Sequence, residues 1–156
     1  MAKMLIVDPT KCTGCRSCES ACSTFREGEV SLTKCRIKVI RFQEDLFFYP
    51  LVCQQCEVPL CAAPCPTAAL KKDARTGLVE FIRERCVGCK MCLTACPFGA
   101  LSLVNGYPVK CDLCGGEPAC TRLCEPGAIV LGEAEALGQG QRVFLAGKLR
   151  EVLLAK

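Results

Sequence analysis

The chain has 156 residues, of which 17 are cysteine and none is histidine or tryptophan, and its formal net charge is +4. This composition excludes Ser-His and Cys-His nucleophilic catalysis, histidine-ligated zinc or haem, and imidazole acid–base chemistry near neutral pH. The cysteines are left to carry the chemistry, on a chain long enough for one compact domain or two very small ones.

Met1 to Val7 is too short for a secretory hydrophobic region and has no cleavage site after it. No apolar run approaches the roughly 18 residues of a membrane span. The expectation is a cytoplasmic protein without an integral membrane segment. A reducing compartment disfavours structural disulfides and favours metal binding by so many thiols.

In chain order, Lys3 to Val7 predicts a first strand. A first cysteine group follows, Cys12, Cys15, Cys18 and Cys22. Cys35 to Arg41 alternates apolar and basic residues, which predicts a strand with Cys35 on its core face; a free thiol is commonly buried as a small hydrophobe, and a ligand or redox role is the alternative. The second group is Cys53, Cys56, Cys61 and Cys65. Leu70 to Lys72 and Leu78 to Ile82 flank a turn-rich Asp73-Ala74-Arg75-Thr76-Gly77 and predict a hairpin. The third group is Cys86, Cys89, Cys92 and Cys96, followed by a short strand from Leu101 to Val104. The fourth group, Cys111, Cys114, Cys120 and Cys124, precedes another strand from Ala128 to Leu131. Residues 132–140 read as a linker. Arg142 to Ala155 predicts an amphipathic helix with Leu145, Leu149, Val152 and Leu153 on one face, which packs on its own domain or docks on a partner subunit.

The four groups are an internal repeat. Groups one and three share the spacing C-x2-C-x2-C-x3-C, groups two and four widen the middle gap, and all four keep x2 at the start and x3 at the end. The tails repeat as well: Cys65-Pro66-Thr67-Ala68-Ala69, Cys96-Pro97-Phe98-Gly99-Ala100 and Cys124-Glu125-Pro126-Gly127-Ala128. In group three the run ends in Cys-Pro, the bacterial two-cluster ferredoxin pattern, in which the fourth cysteine ligates the other cluster of a pair. Zinc knuckles need paired C-x2-C motifs farther apart, and three thiols within seven residues are too crowded for one. The spacing points to sixteen cysteine ligands and four [4Fe–4S] clusters.

These motifs resemble the four-cluster, ferredoxin-like electron-transfer subunits of multi-subunit oxidoreductases. The resemblance covers roughly residues 3–131 and rests on Asp8-Pro9-Thr10-Lys11-Cys12, Cys53-Gln54-Gln55-Cys56, Arg85-Cys86-Val87-Gly88-Cys89 and Lys110-Cys111-Asp112-Leu113-Cys114. Such subunits accompany molybdenum or tungsten pterin enzymes such as DMSO reductase, polysulfide reductase, formate dehydrogenase and tungsten aldehyde oxidoreductase, and also carbon monoxide dehydrogenase and some hydrogenases.

The resemblance implies an α+β fold of two ferredoxin-like βαββαβ units, one inserted in the other at about residues 50–105. Residues 1–131 would form the cluster domain and 132–156 a C-terminal linker and helix. Little hydrophobic core remains, so the clusters must stabilise the fold. Groups two and three would share one cluster pair and groups one and four the other, three cysteines of one group joining the last of its partner.

The implied function is non-catalytic, single-electron transfer between a large catalytic subunit, best a tungsten or molybdenum enzyme of the aldehyde oxidoreductase type, and a second redox partner: a flavin subunit, a ferredoxin or another copy of this chain. A free-standing polyferredoxin, a nickel enzyme's electron-transfer subunit and a redox-sensing or cluster-storage protein are the competing readings.

Sixteen thiolates at −1 and four cores at +2 add roughly −8, which takes the formal +4 to roughly −4. A nucleic-acid partner is therefore not expected. Lys11, Arg16, Arg85, Lys90, Lys110 and Arg122 stand beside the cysteines, as a solvated face or as cations that favour the reduced clusters. Phe47, Phe48, Tyr49, Phe98 and Tyr107 are expected to shield the sites from water and fill the small core.

Overall fold

The computed structural model describes residues 3–44 and 46–133. The helix and most of the linker expected after Leu131 lie outside the described residues. Within them the fold is α+β, and its strands form two-stranded antiparallel sheets.

Strand β1 (Lys3–Val7) pairs with β8 (Ile129–Glu133), from Lys3 opposite Glu133 to Val7 opposite Ile129. Strand β8 thus continues two residues past the expected end. Strands β2 (Lys38–Phe42) and β3 (Phe47–Leu51) form a hairpin. So do β4 (Leu70–Lys72) with β5 (Val79–Phe81), and β6 (Ser102–Val104) with β7 (Tyr107–Val109). The helices are α1 (Ser17–Glu27), α2 (Met91–Ala95) and α3 (Ala119–Arg122).

The outer elements, β1-α1-β2-β3 and then α3-β8, have the βαββαβ order of a ferredoxin-like unit. Between them stand β4-β5-α2-β6-β7. This inner part departs from the ideal order in three places: no first strand of its own precedes β4, turns occupy residues 60–64 where a first helix would stand, and β6 pairs with the adjacent β7.

Each part has its own small core. Leu5, Ile37, Val39, Val52, Leu113 and Ile129 pack with Cys18, Cys22, Cys35 and Cys120. Leu70, Val79 and Leu101 pack with Cys92. At ~1.5–3 kcal/mol per buried aliphatic side chain, so few cannot offset the ordering entropy of the backbone.

Cys35 is fully buried, but not on a strand, since β2 begins only at Lys38. Residues 32–34 form a turn, and the Cys35 thiol closes it by donating to the Leu32 carbonyl oxygen at 3.2 Å. The hairpin also sorts the aromatics by strand alternation. Phe48 packs against the outer core, whereas Phe47 and Tyr49 face outward and are exposed.

The repeat seen in the sequence is a repeat of backbone conformation. The third residue of the first C-x2-C in every group is left-handed: Gly14 at φ 71°, Gln55 at 46°, Gly88 at 73° and Leu113 at 55°. So is the third residue after three of the last cysteines, Ala68 at 49°, Gly99 at 59° and Gly127 at 66°. There the amide donates back to the carbonyl of Cys65, Cys96 or Cys124 at 3.0–3.2 Å, a tight turn that leads toward the next strand.

Candidate metal centres

A four-residue step on a helix advances one turn, about 6 Å along the axis. The x3 spacing uses that step to send two cysteines to two neighbouring places. On α1, Cys18 lines one cavity with Cys12, Cys15 and Cys124, while Cys22 lines the next with Cys111, Cys114 and Cys120. Helix α3 and the residues just past it make the reciprocal connection, Cys120 to the second cavity and Cys124 to the first. In the inner part, Cys92 on α2 lines a cavity with Cys65, Cys86 and Cys89, and Cys96 just past α2 lines another with Cys53, Cys56 and Cys61. The turns at 60–64 again carry the reciprocal pair, Cys61 and Cys65. Three cysteines of one group and the last of another thus meet at each of four cavities, and Cys35 lines none of the four.

The donor set fits clusters rather than single ions. Among the described residues no three Cys, Asp or Glu side chains close on a point that one metal ion would occupy. Four cysteines line each of these cavities instead. Their remaining walls are largely apolar: Leu5 and Ile37, Val39 and Ile129, Leu70 and Phe81, Leu101 and Phe98.

Residues 44–134 match the 4Fe-4S dicluster domain family, and residues 5–24 match a 4Fe-4S binding domain. The chain belongs to the 4Fe-4S dicluster domain family. It is 39% identical over 123 residues to an aliphatic sulfonate oxidoreductase, polyferredoxin-like subunit, of Pyrococcus furiosus, covering 77% of this chain and 70% of that one. It is 35% identical to the putative electron transport protein YsaA of Escherichia coli, covering 86% and 92%. It is also 35% identical to the beta subunit of NADH-dependent phenylglyoxylate dehydrogenase of Aromatoleum evansii, covering 78% of this chain but only 28% of that subunit. A solved structure of the active-site complex BamBC of benzoyl coenzyme A reductase with 1,5-dienoyl-CoA contains a similar chain: TM-score 0.50, 28% identity, covering 84% of this chain and 75% of that one.

[4Fe–4S] clusters are therefore the group that this dicluster fold binds, and its thiols stand in differing surroundings. Burial pushes the Cys18 and Cys111 thiols up to about 12 and Cys61 up to about 11, and raises Cys120 as well. Cys15, near the surface, is lowered by hydrogen bonds from the Ser17 hydroxyl and amide. Backbone amides donate to sulfur at Cys22 from Arg36 and at Cys65 from Ala69, each at 3.2 Å. Such bonds offset thiolate charge and tune a cluster's potential.

The basic neighbours divide. Lys11 pairs with Asp8 at 3.5 Å, Arg16 pairs with Glu19, and Arg85, Lys90 and Arg122 are exposed. Lys110 alone of the six is buried. Sequence reasoning missed its partner, Gln55, and the buried carboxylate of Glu19, which accepts from the Val39 amide at 3.2 Å and ties α1 to β2. A glutamine where two other groups have glycine was the available signal for the first. No local pattern marks the second.

Proposed function

We propose that this chain is an iron–sulfur electron-transfer subunit with four [4Fe–4S] clusters, held by Cys12, Cys15, Cys18 and Cys124; by Cys22, Cys111, Cys114 and Cys120; by Cys53, Cys56, Cys61 and Cys96; and by Cys65, Cys86, Cys89 and Cys92. A bound cluster supplies one-electron redox chemistry. The observation that carries the reading is the sharing of each Cys-x3-Cys turn by two cavities, which places neighbouring sites about one helical turn apart.

The chain's own residues also set an order. Lys110 lines the Cys53 cavity and donates to the carbonyl of Cys111, which lines the Cys22 cavity. The sequence of sites is then the Cys89 cavity, the Cys53 cavity, the Cys22 cavity and the Cys15 cavity. Each end site has one exposed cysteine, Cys15 or Cys89, and no cysteine of the two middle sites is exposed. The two ends are the places for two redox partners.

Bond-making chemistry belongs to a larger partner subunit. A tungsten or molybdenum pterin enzyme of the aldehyde oxidoreductase type is the preferred partner, supported by the motif resemblance and by relatives named as subunits of oxidoreductases. A free electron carrier is the second reading, favoured by the near full-length match to an electron transport protein. No described helix is long and apolar enough to cross a membrane. In domain terms, residues 1–131 form the cluster-binding part with an inserted unit at about 50–105, which the β6–β7 hairpin extends to Val109; residues 132–156 form the appended segment.

The test is anaerobic purification with metals counted per chain. About 16 iron atoms with tungsten or molybdenum and a second polypeptide is the expected result. Nickel would move the chain to a carbon monoxide dehydrogenase or hydrogenase, and iron alone without a second polypeptide would favour the free carrier. Zinc in place of iron would overturn the reading. Cys22→Ser and Cys111→Ser should alter the same paramagnetic signal; if Cys22→Ser instead alters the one changed by Cys15→Ser, the assignment across groups fails.

A further inference from the structure

The crossing between the inner and outer parts of the fold is made by a buried cation. Lys110 is 4% exposed and Gln55 is 6% exposed. The Lys110 Nζ donates to the Gln55 Oε1 at 3.2 Å, the Val79 carbonyl at 2.5 Å and the Cys111 carbonyl at 2.7 Å. None of these oxygens has a proton to offer, so three contacts require three N–H donors: the side chain is an ammonium. Gln55 completes the crossing by accepting from the Val79 amide at 3.1 Å and donating from Nε2 to the Cys111 carbonyl at 2.7 Å.

This arrangement is costly in two ways. Among the described residues no carboxylate pairs with Lys110, and a buried charge without a counter-charge is destabilising. Gln55 holds φ 46° where Gly14 and Gly88 sit in the same repeat, a left-handed conformation that is strained for a non-glycine residue. A glycine would relieve the strain and lose both the acceptor that holds the ammonium and the donor to Cys111. The negative groups nearest at hand are the thiolates themselves: Lys110 acts on Cys53, Cys61 and Cys111.

We propose that the Lys110–Gln55 pair is a positioning device that fixes one positive charge between the two middle sites, the Cys53 and Cys22 cavities, and raises the reduction potentials there above what thiolates and backbone alone would set. The inference rests on the reading of the four cavities as cluster sites. A buried cation favours the state with one more electron, and low dielectric makes the effect large. The charge stays on Lys110 throughout. One electron is gained or lost at each middle site, and no bond forms or breaks. The two end sites, with exposed Cys15 and Cys89, feel it less.

The test is an EPR-monitored redox titration of the anaerobically prepared holo-protein and of Lys110→Met and Gln55→Glu. Wild type with about 16 iron atoms and four couples establishes the underlying reading independently of the variants. Lys110→Met removes the charge at similar length; Gln55→Glu neutralises it in place with the lysine retained. In both, two of the four couples are expected to fall, the reduced-to-oxidised ratio at fixed poise dropping about tenfold, or about 59 mV for one electron, with iron content unchanged. Cys15→Ser and Cys89→Ser, which mark the end sites, should identify the couples that stay in place. No shift in either variant, or an equal shift of all four couples, overturns the proposal. Loss of iron in both variants, with the surviving couples unmoved, makes the pair a structural strut and overturns it as well.

Discussion

A Cβ added at Gly14 would lie 2.6 Å from Cδ1 of Phe48. The ring of β3 thus closes directly over the first C-x2-C loop. Gly88, the same position in group three at nearly the same φ, has nothing within 4 Å of where its Cβ would be. Gly88→Ala should therefore cost only the backbone strain, about 1 kcal/mol, whereas Gly14→Ala should cost about 2–3 kcal/mol because Phe48 must also move. Loss of visible cluster absorbance on heating the two holo-proteins measures the difference. Equal losses would contradict the contact.

Glu19 is 1% exposed and holds three groups, the Arg16 guanidinium, the Val39 amide and, at 4.0 Å, the Cys35 thiol. Glu19→Gln keeps the shape and removes the charge. It is expected to destabilise by about 2–3 kcal/mol, as breaking a buried charge pair does, and Glu19→Ala by more. Iron content at low temperature should stay at the wild-type value, since Glu19 lines none of the four cysteine cavities.

Cys35 separates sixteen ligands from seventeen. It is fully buried, and its thiol faces the Leu32 carbonyl and the Lys38 Nζ at 3.2 and 3.4 Å. Cys35→Ala should retain all the iron and cost about 1 kcal/mol for the lost contact and small cavity. A drop of about four iron atoms would make Cys35 a ligand after all.

Removing iron exposes the burial of the thiols to pH. In the folded arrangement Cys18 and Cys111 are pushed up to about 12 and Cys61 to about 11, from an ordinary 9.0. A raised folded value means that folding is helped while the thiols are neutral. That help is present below about 9 and is lost as the pH rises toward 12. The chelated protein should be largely unfolded, and the residual structure seen by circular dichroism should decay over that window. The iron-loaded protein, already deprotonated at sulfur, should not change there. A flat profile in a chelated sample that keeps measurable residual structure would count against buried thiols.

The sequence by itself determined the local geometry, because local geometry depends on spacing. The x2 steps determined the loops, the x3 steps determined that each last cysteine leaves its own loop by one turn, the turn-rich residues 73–77 marked the β4–β5 hairpin, and alternation anticipated the burial of Cys35, although a turn and not a strand holds it. What the sequence could not set by spacing was which loops meet. That Cys22 reaches Cys111 and Cys124 reaches Cys12 depends on β1 pairing with β8 across the length of the fold and on α1 lying near α3. Such long-range closure is a matter of packing, and in the sequence only family resemblance anticipated it. The strand expected at Cys35 to Arg41 overlaps β2, but its partner β3 was hidden because the apolar residues of the hairpin occupy both faces, with Ile40, Phe42, Phe47 and Tyr49 exposed. Six basic residues looked alike beside the cysteines, and only the tertiary structure buried Lys110, because burial is decided by what folds over a side chain.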